Sequence, residues 1–196
     1  MAMVFVFLTN LTFAQFFDDM ESYVDFSEAE WWTIPIAIST DLAFDGVQSG
    51  LISEGGTHEI VLSLGNKIFG DWNLRFYMYI PGNKEAVWSI LEDGENSDSS
   101  FMGDVYFNKD LNSPGMGWIP EASGGPYDFS FPHDTWFSVE LFVYISTGIK
   151  MAIWDLWIDG NEIVPLGTPF TDNIGTIPMS LGGIFFKMNT SNTFYF

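Results

Sequence analysis

The chain has 196 residues, of which 47% are hydrophobic, 18% are aromatic and none is cysteine. This length and apolar content predict one folded domain with a sizeable core, and the lack of cysteine excludes disulfides, thiolate metal sites and cysteine nucleophiles. The formal net charge of −20 repels phosphate backbones, which excludes nucleic acid as the partner.

The first residues have the pattern of a secretory leader. An apolar run extends from Met3 to Leu8, and Ala14 follows Thr12 at the spacing of a signal-peptidase site. We therefore predict a signal peptide over residues 1–14, a mature domain over residues 15–196, and a secreted or cell-surface protein. An ordinary first strand is the alternative. No other stretch has the apolar length that a membrane-spanning segment needs.

Short segments of alternating side chains, separated by turn residues, cover most of the chain, and none of them carries a helical period. The predicted strands are 16–17, 31–39, 51–53, 57–64, 72–80, 86–91, 101–108, 117–119, 129–131, 136–145, 150–159, 163–164, 180–188 and 193–196. This pattern predicts an all-β fold, an antiparallel jelly-roll sandwich of two sheets.

The clearest local pattern lies between residues 134 and 163. In residues 136–145 every second side chain, from Phe137 to Ile145, is apolar, so one face of this strand is predicted to be buried. A turn at Ser146-Thr147-Gly148 leads to a second strand. Asp159-Gly160 then suits the positive φ angles of a two-residue hairpin.

Several segments, in their order along the chain, resemble a known family. They are FFDDMESY, SGLISEGGTHEIVLSLGNK, LRFYMYIPGNK, DVYFN, FPHDTWFSVELFVYI and LWIDGNEI. Together they are similar to the concanavalin A-like lectin/glucanase jelly roll in its laminin-G-like form, as found in exported proteins of Bacteroidetes. The resemblance covers nearly all of the mature chain and implies two antiparallel sheets packed face to face, one of them concave.

The motifs of catalysis are missing from the sequence. Glucanases of the resembled family carry two glutamates and an aspartate on one strand in a Glu-x-Asp-x-x-Glu arrangement, whereas Glu92-Asp93-Gly94-Glu95 is contiguous and lies in a predicted loop. Asp155, Asp159 and Glu162 also have a different spacing, and no HExxH or Gly-x-Ser-x-Gly motif is present. We therefore predict that the protein is not an enzyme, with a glycoside hydrolase as the less favoured alternative.

No metal or cofactor is firmly indicated, but a structural calcium ion is a hypothesis. Calcium binds several oxygen ligands, and Asp18 and Asp19 beside the first predicted strand are the best candidates. Acidic side chains that simply face water at a strand end are the alternative. The two histidines, His58 and His133, are predicted to be a core residue and a turn residue.

Sugar recognition needs flat aromatic rings with polar groups beside them, because the rings stack on C–H faces while the polar groups bond the hydroxyls. Three predicted strands offer this mixture on the face opposite their apolar residues. If these strands are neighbours in one sheet, as the resemblance implies, their side chains form one concave surface, with Trp88 and Trp118 at its rim. The predicted ligand-binding residues are Arg75, Tyr77, Tyr79, Trp88, Asp104, Tyr106, Trp136, Glu140 and Tyr144.

The sequence thus predicts a non-catalytic extracellular module for carbohydrate binding or adhesion, whose partner is a glycan or another surface protein. The alternative is a structural or protein-interaction domain without a sugar site, in which the aromatic residues serve only the core.

Overall fold

The computed structural model describes residues 17–23, 32, 37–54, 59–110 and 112–196. Within these ranges the chain forms strands and no α-helix, so the all-β prediction is confirmed. The strands are β1 (Ala37–Ser39), β2 (Ser49–Ser53), β3 (Glu59–Lys67), β4 (Asp71–Tyr79), β5 (Ala86–Leu91), β6 (Ser100–Phe107), β7 (Met116–Ile119), β8 (Tyr127–Ser130), β9 (Trp136–Tyr144), β10 (Ile153–Ile158), β11 (Asn161–Pro169), β12 (Leu181–Lys187) and β13 (Phe194–Tyr195).

The strands form two layers of antiparallel sheet. One layer is a six-stranded sheet in the order β3-β12-β5-β6-β7-β8. The other consists of a four-stranded sheet, β11-β10-β9-β4, and a three-stranded sheet, β1-β2-β13. These two meet where the N–H of Tyr79 donates to the carbonyl of Phe196 at 3.0 Å and the N–H of Phe196 donates back at 3.1 Å. The prediction of a two-layer antiparallel sandwich is confirmed.

The core lies between the layers and is built by alternation along each strand. On β9, Phe137, Val139, Leu141 and Val143 are at most 2% exposed, while the residues between them are partly exposed. The Phe137 ring lies 5.8 Å from that of Phe107 on the opposite layer. Because each fully buried aliphatic or aromatic side chain contributes about 1.5–3 kcal/mol, this alternation fixes which face of β9 points outward.

The hairpin after residue 134 forms largely as predicted. Asp159 and Gly160 have φ angles of 49° and 74°, and Ile158 pairs with Asn161 across the turn. One detail differs, because a 3₁₀ turn over Ile149–Met151 occupies the beginning of the second predicted strand. Gly148 precedes that turn with a φ angle of 91°, which glycine adopts readily. Strand β10 therefore starts only at Ile153.

Some predictions fall on residues outside the described ranges. The predicted signal peptide (1–14) and His58 are among them, so the leader and the secreted location stay predictions. Within the described ranges, no helix is long and apolar enough to cross a bilayer.

Candidate functional site

The outward side chains of β4, β9 and β10 form a polar and aromatic surface, which we call the β9 face. Antiparallel pairing of β4 with β9 places Arg75 opposite Glu140, and Tyr79 opposite Trp136. Tyr77 lies between these pairs on β4. The structure therefore brings five of the predicted ligand residues together on one surface.

Four rings gather at one end of the β9 face. Phe44, from the loop between β1 and β2, stacks on Tyr77 with a centroid distance of 3.7 Å and an interplanar angle of 12°. The ring of Trp136 lies 5.9 Å from Phe44 and 5.8 Å from Tyr79, in edge-on geometry. The Phe44 ring thus covers one face of the Tyr77 ring. Because Phe44 is 51% exposed, its other side forms the outer aromatic surface of the cluster. Sequence analysis missed Phe44, because it lies in a turn-rich stretch without strand alternation.

A cavity of about 550 Å³ opens beside these rings. Phe44, Tyr77 and Trp136 belong to its lining, together with apolar side chains such as Ile52 and Phe76. Its volume lies within the range of known ligand pockets, about 300–1,000 Å³. The lining also includes the carboxylates of Asp19, Glu21 and Asp45. The cavity beside the aromatic cluster is thus lined mainly by apolar side chains, with three acidic residues among them.

Next to the rings, Arg75 and Glu140 form an ion pair across β4 and β9. Their Nη2 and Oε2 atoms are 2.6 Å apart, and 55% of the Arg75 side chain but only 18% of the Glu140 side chain is exposed. The Arg75 side chain also interacts with Tyr77, and because more than half of it is exposed, guanidinium donors remain accessible to solvent. This pair can therefore bond hydroxyl groups of a ligand that stacks on the neighbouring rings.

Two further residues of the β9 face were missed by sequence analysis. On β10, Trp157 lies opposite Glu140, and Asp155 lies opposite Phe142. The Trp157 indole Nε1–H donates to Asp155 Oδ2 at 2.7 Å. Both residues alternate along β10 with Trp154, Leu156 and Ile158, which are buried. This alternation is the sequence signal that could have predicted their outward direction.

Tyr144 lies near the far end of the β9 face, opposite Ile153 on β10. Burial and the nearby carboxylate of Asp155 raise the pKa of its phenol. Tyr144 thus shares the face with the other predicted residues but stands apart from the aromatic cluster.

The prediction that Trp88 sits at the rim of the site is wrong. Trp88 lies in the middle of β5, is fully buried and contacts Phe76 edge-on at 5.7 Å. Its indole is part of the core between the layers and cannot touch a ligand on either surface.

The placement of Asp104 and Tyr106 with the other ligand residues is also wrong. They lie on β6, in the six-stranded sheet, whereas Tyr77 and Trp136 lie in the other layer. Since both layers turn their apolar residues inward, these two sets of side chains point away from each other. Alternation alone predicted which side chains point outward but not which sheet each strand joins.

We call the outer surface of the six-stranded sheet around Asp104 the β6 face. The Asp104 carboxylate pairs with Lys187 Nζ at 2.7 Å and accepts hydrogen bonds from Ser89 at 2.7 Å and Tyr106 at 2.8 Å. Burial raises the pKa of Asp104, but these three interactions outweigh it and hold the pKa below its usual value. The group is thus satisfied within the chain.

The aromatic pair of the β6 face is similarly occupied. Tyr106 and Trp118 stack with centroids 5.8 Å apart, and Lys109 Nζ lies 3.8 Å from the first ring and 4.4 Å from the second. A lysine over both rings makes cation–π contacts and takes the surface on which a sugar would stack.

The carboxylate of Asp18 has partners within the chain. Its Oδ1 accepts from the N–H of Met20, and its Oδ2 accepts from Tyr23 and Trp32, all at 2.9 Å. In the part of the chain that the structure describes, no three acidic or histidine side chains come together as metal ligands. Calcium binding by Asp18 and Asp19 stays an untested prediction.

No protein-family model matches the sequence, and no curated protein matches it. Several solved structures are similar to the chain at low sequence identity. A sialidase superposes with a TM-score of 0.57 at 11% identity over 88% of this chain, which spans only 14% of the sialidase. An endo-β-1,4-glucuronan lyase from Trichoderma reesei gives a TM-score of 0.46 at 11% identity, over 89% of this chain and 79% of the lyase. An alginate lyase, Aly36B, gives 0.37 at 12% identity, over 73% of this chain and 74% of the lyase.

These comparisons correct one prediction. The prediction that the protein is not an enzyme is wrong as an exclusion, because a fold that also occurs within a sialidase does not rule out catalysis, and neither does the lack of the motifs sought. At these identities the comparisons show a β-sandwich fold, and any ligand has to be argued from the residues of this chain.

Proposed function

We propose that the protein is carbohydrate-active and binds a neutral polysaccharide on the β9 face. The observation that carries this proposal is the cavity of about 550 Å³ beside Tyr77 and Trp136, two residues whose pattern predicted sugar stacking. The ring of Phe44, stacked over Tyr77, adds an exposed apolar surface to the same opening.

The neighbouring polar groups suit hydroxyl ligands. Arg75 offers donors and Glu140 offers acceptors within one ion pair, directly beside the aromatic cluster. Stacking on the rings would supply contact area, and hydrogen bonds to the ion pair would fix the orientation of the ligand. Small-ligand sites commonly divide these two roles between apolar and polar residues.

Charge favours a neutral over an anionic glycan. Arg75 is already paired with Glu140, and Asp71, Asp155 and Glu162 lie on or beside the same strands. The chain as a whole carries a net charge of −20. A polyuronate would be repelled by this field, whereas a neutral chain is indifferent to it.

Two likenesses support a carbohydrate-related function. The sequence segments resemble concanavalin A-like lectins and glucanases, and the fold is shared with part of a sialidase. Neither likeness names a sugar.

The test is binding of neutral β-1,4- and β-1,3-glucan oligosaccharides by calorimetry. We expect Trp136→Ala to weaken binding about tenfold to a hundredfold, the range of a central interface residue, because it removes a ring from the cavity. Trp118→Ala, which removes a partly exposed indole from the β6 face, is the matched control and should leave affinity within twofold.

Equal effects of the two substitutions would contradict the proposal, and so would tight binding that neither changes. The same mixtures can be examined for new reducing ends and for unsaturated ends. That measurement decides whether the bound glycan is also cleaved.

A further inference from the structure

Trp157 extends the candidate site along the β9 face. Its position opposite Glu140 places it in one cross-strand row with Glu140 and Arg75. Trp157 is partly exposed, whereas its neighbours Leu156 and Ile158 are buried in the core. Its ring is therefore available at the surface, beyond the Arg75–Glu140 pair when viewed from β4.

The indole of Trp157 is held by a buried carboxylate. Asp155 is only 4% exposed, and its Oδ2 accepts the indole Nε1–H at 2.7 Å. Its Oδ1 is buried and, among the described residues, has no hydrogen-bond partner of good geometry, although the phenol of Tyr144 lies close to the carboxylate. A carboxylate is costly to bury in this way, since an unsatisfied buried polar group destabilises the fold. Such a group is expected where orientation of a neighbour matters more than stability.

The distance between the two aromatic positions is set by the strand. Trp136 and Glu140 are four residues apart on β9, which corresponds to roughly 13 Å along the strand. Because Trp157 lies opposite Glu140, the backbone positions of the two tryptophans are further apart than the width of one sugar ring. Glu140 lies beside Trp157 in the same cross-strand row, Arg75 lies on the other side of Glu140, and Ser138 separates Trp136 from Glu140 on the outward side of β9.

We propose that Trp157 is a second stacking platform, oriented by Asp155 as a positioning residue, and that the β9 face binds an internal stretch of several sugar units. This inference rests on the proposed function and specifies its ligand as a chain rather than a terminal sugar. A short ligand fills the cavity at Trp136, and a long one continues along β9 to the row of Glu140, where it stacks on Trp157.

The test compares a disaccharide with a hexasaccharide of the same neutral β-glucan. The unmodified protein is expected to bind the hexasaccharide at least tenfold more tightly. Trp157→Ala should abolish most of that gain and leave disaccharide affinity within twofold, whereas Trp136→Ala should weaken both ligands. Trp157→Phe keeps a ring and should retain part of the gain.

The outcomes separate this inference from the proposed function. If Trp157→Ala leaves the hexasaccharide gain intact, or weakens both ligands equally, the second platform is overturned while binding at Trp136 stands. If the unmodified protein binds neither ligand of any neutral glucan, the proposed function fails first.

The role of Asp155 has its own readout. Asp155→Asn keeps an acceptor for the indole, whereas Asp155→Leu removes it, and Asp155→Ala removes it with a smaller side chain should the leucine variant not fold. With 5-fluorotryptophan incorporated, the resonance that disappears in Trp157→Phe identifies this ring. It should shift or broaden in the leucine or alanine variant, together with loss of the hexasaccharide gain, and stay in place in Asp155→Asn. An unchanged resonance and an unchanged gain without the acceptor would overturn the positioning role.

Discussion

The two outer faces of the sandwich have similar compositions but differ in how far their side chains are occupied by contacts within the chain. Each face carries stacked aromatic rings, a carboxylate and a cationic side chain. On the β6 face, Lys109 lies over Tyr106 and Trp118, and Asp104 is bonded by three groups of the chain. Beside the β9 face, a cavity that reaches inward-facing side chains such as Phe76 and Met78 opens next to the rings, and over half of the Arg75 side chain is exposed.

The difference teaches that composition does not make a binding surface. Polar and aromatic side chains become a site only when the chain leaves their bonding capacity unused. On the β6 face the partners of Asp104 come from β5, β6 and β12, and the cavity beside Lys109 and Trp118 is the smaller one, about 260 Å³. On the β9 face the cavity is about 550 Å³, and more than half of the Arg75 side chain is accessible.

The largest effect is expected in the core that separates the two faces. Trp88→Ala should lower the free energy of unfolding by about 3–5 kcal/mol, because it removes a fully buried indole and leaves a cavity. Urea unfolding measures this change. Trp118→Ala, at a partly exposed position, should cost far less. A small loss of stability for Trp88→Ala, with lost glycan binding, would restore its predicted place at the rim.

The next effect concerns the network of the β6 face. Asp104→Ala should lower the free energy of unfolding by about 1–2 kcal/mol near neutral pH, because it leaves Lys187, Tyr106 and Ser89 without their shared acceptor. Urea unfolding of both proteins measures it, and glycan affinity should not change.

This effect should depend on pH. Because the pKa of Asp104 is lowered in the folded protein, its stabilising contribution is present above the unfolded-state pKa and disappears as the pH falls through the folded-state pKa. The two unfolding curves should therefore converge in acid. A difference that persists at the lowest pH where the fold survives would show that lost packing, not the charge, is responsible.

A smaller effect should appear on the β9 face. Glu140→Gln preserves the shape of the side chain but removes the charge that holds Arg75, so we expect neutral glycan binding to weaken about three- to tenfold while the unfolding midpoint barely moves. Calorimetry and urea unfolding on the same preparation check both statements. The opposite pattern, a loss of stability without a loss of affinity, would show that the Arg75–Glu140 pair has a structural role, like the Asp104–Lys187 pair, and no role in binding.

The smallest effect belongs to the lysine over the rings of the β6 face. Lys109→Gln should lower the free energy of unfolding by about 0.5–1 kcal/mol through loss of the cation–π contacts. If adding Lys109→Gln to the Trp136→Ala protein restores the glycan affinity that Trp136→Ala alone had lost, the contrast between the faces reduces to that one lysine side chain.

Much of the fold could be predicted from alternation and turn chemistry. The buried positions of β9 and the Asp159-Gly160 hairpin follow from local sequence, because strand period and positive φ are local properties. Which sheet a strand joins is not local. Asp104 and Tyr106 show the same outward pattern as Tyr77, and only the pairing of β6 with β5 and β7 sends them to the opposite face.

The site was predicted in part for the same reason. Arg75, Tyr77, Trp136 and Glu140 meet because β4 and β9 pair in one register. Phe44 arrives from a loop that has no periodicity, and its stacking on Tyr77 depends on the path of that loop. Trp88 shows the converse error, since a tryptophan next to a loop in sequence can still be enclosed by two layers.

The seam between the three-stranded and four-stranded sheets has a dynamic consequence. In the described residues, the backbones of Tyr79 and Phe196 join these sheets through one reciprocal pair of hydrogen bonds, and the cavity lies alongside. Because so few hydrogen bonds join the two sheets, we expect the layer to open locally at this junction more often than elsewhere. The amides of Tyr79 and Phe196 should therefore exchange with deuterium faster than the amides in the middle of β9. A ligand bound in the cavity would suppress this local opening. Slower deuterium uptake at the Tyr79 and Phe196 amides should therefore report occupancy even for a glycan whose affinity is too low for its complex to be crystallised.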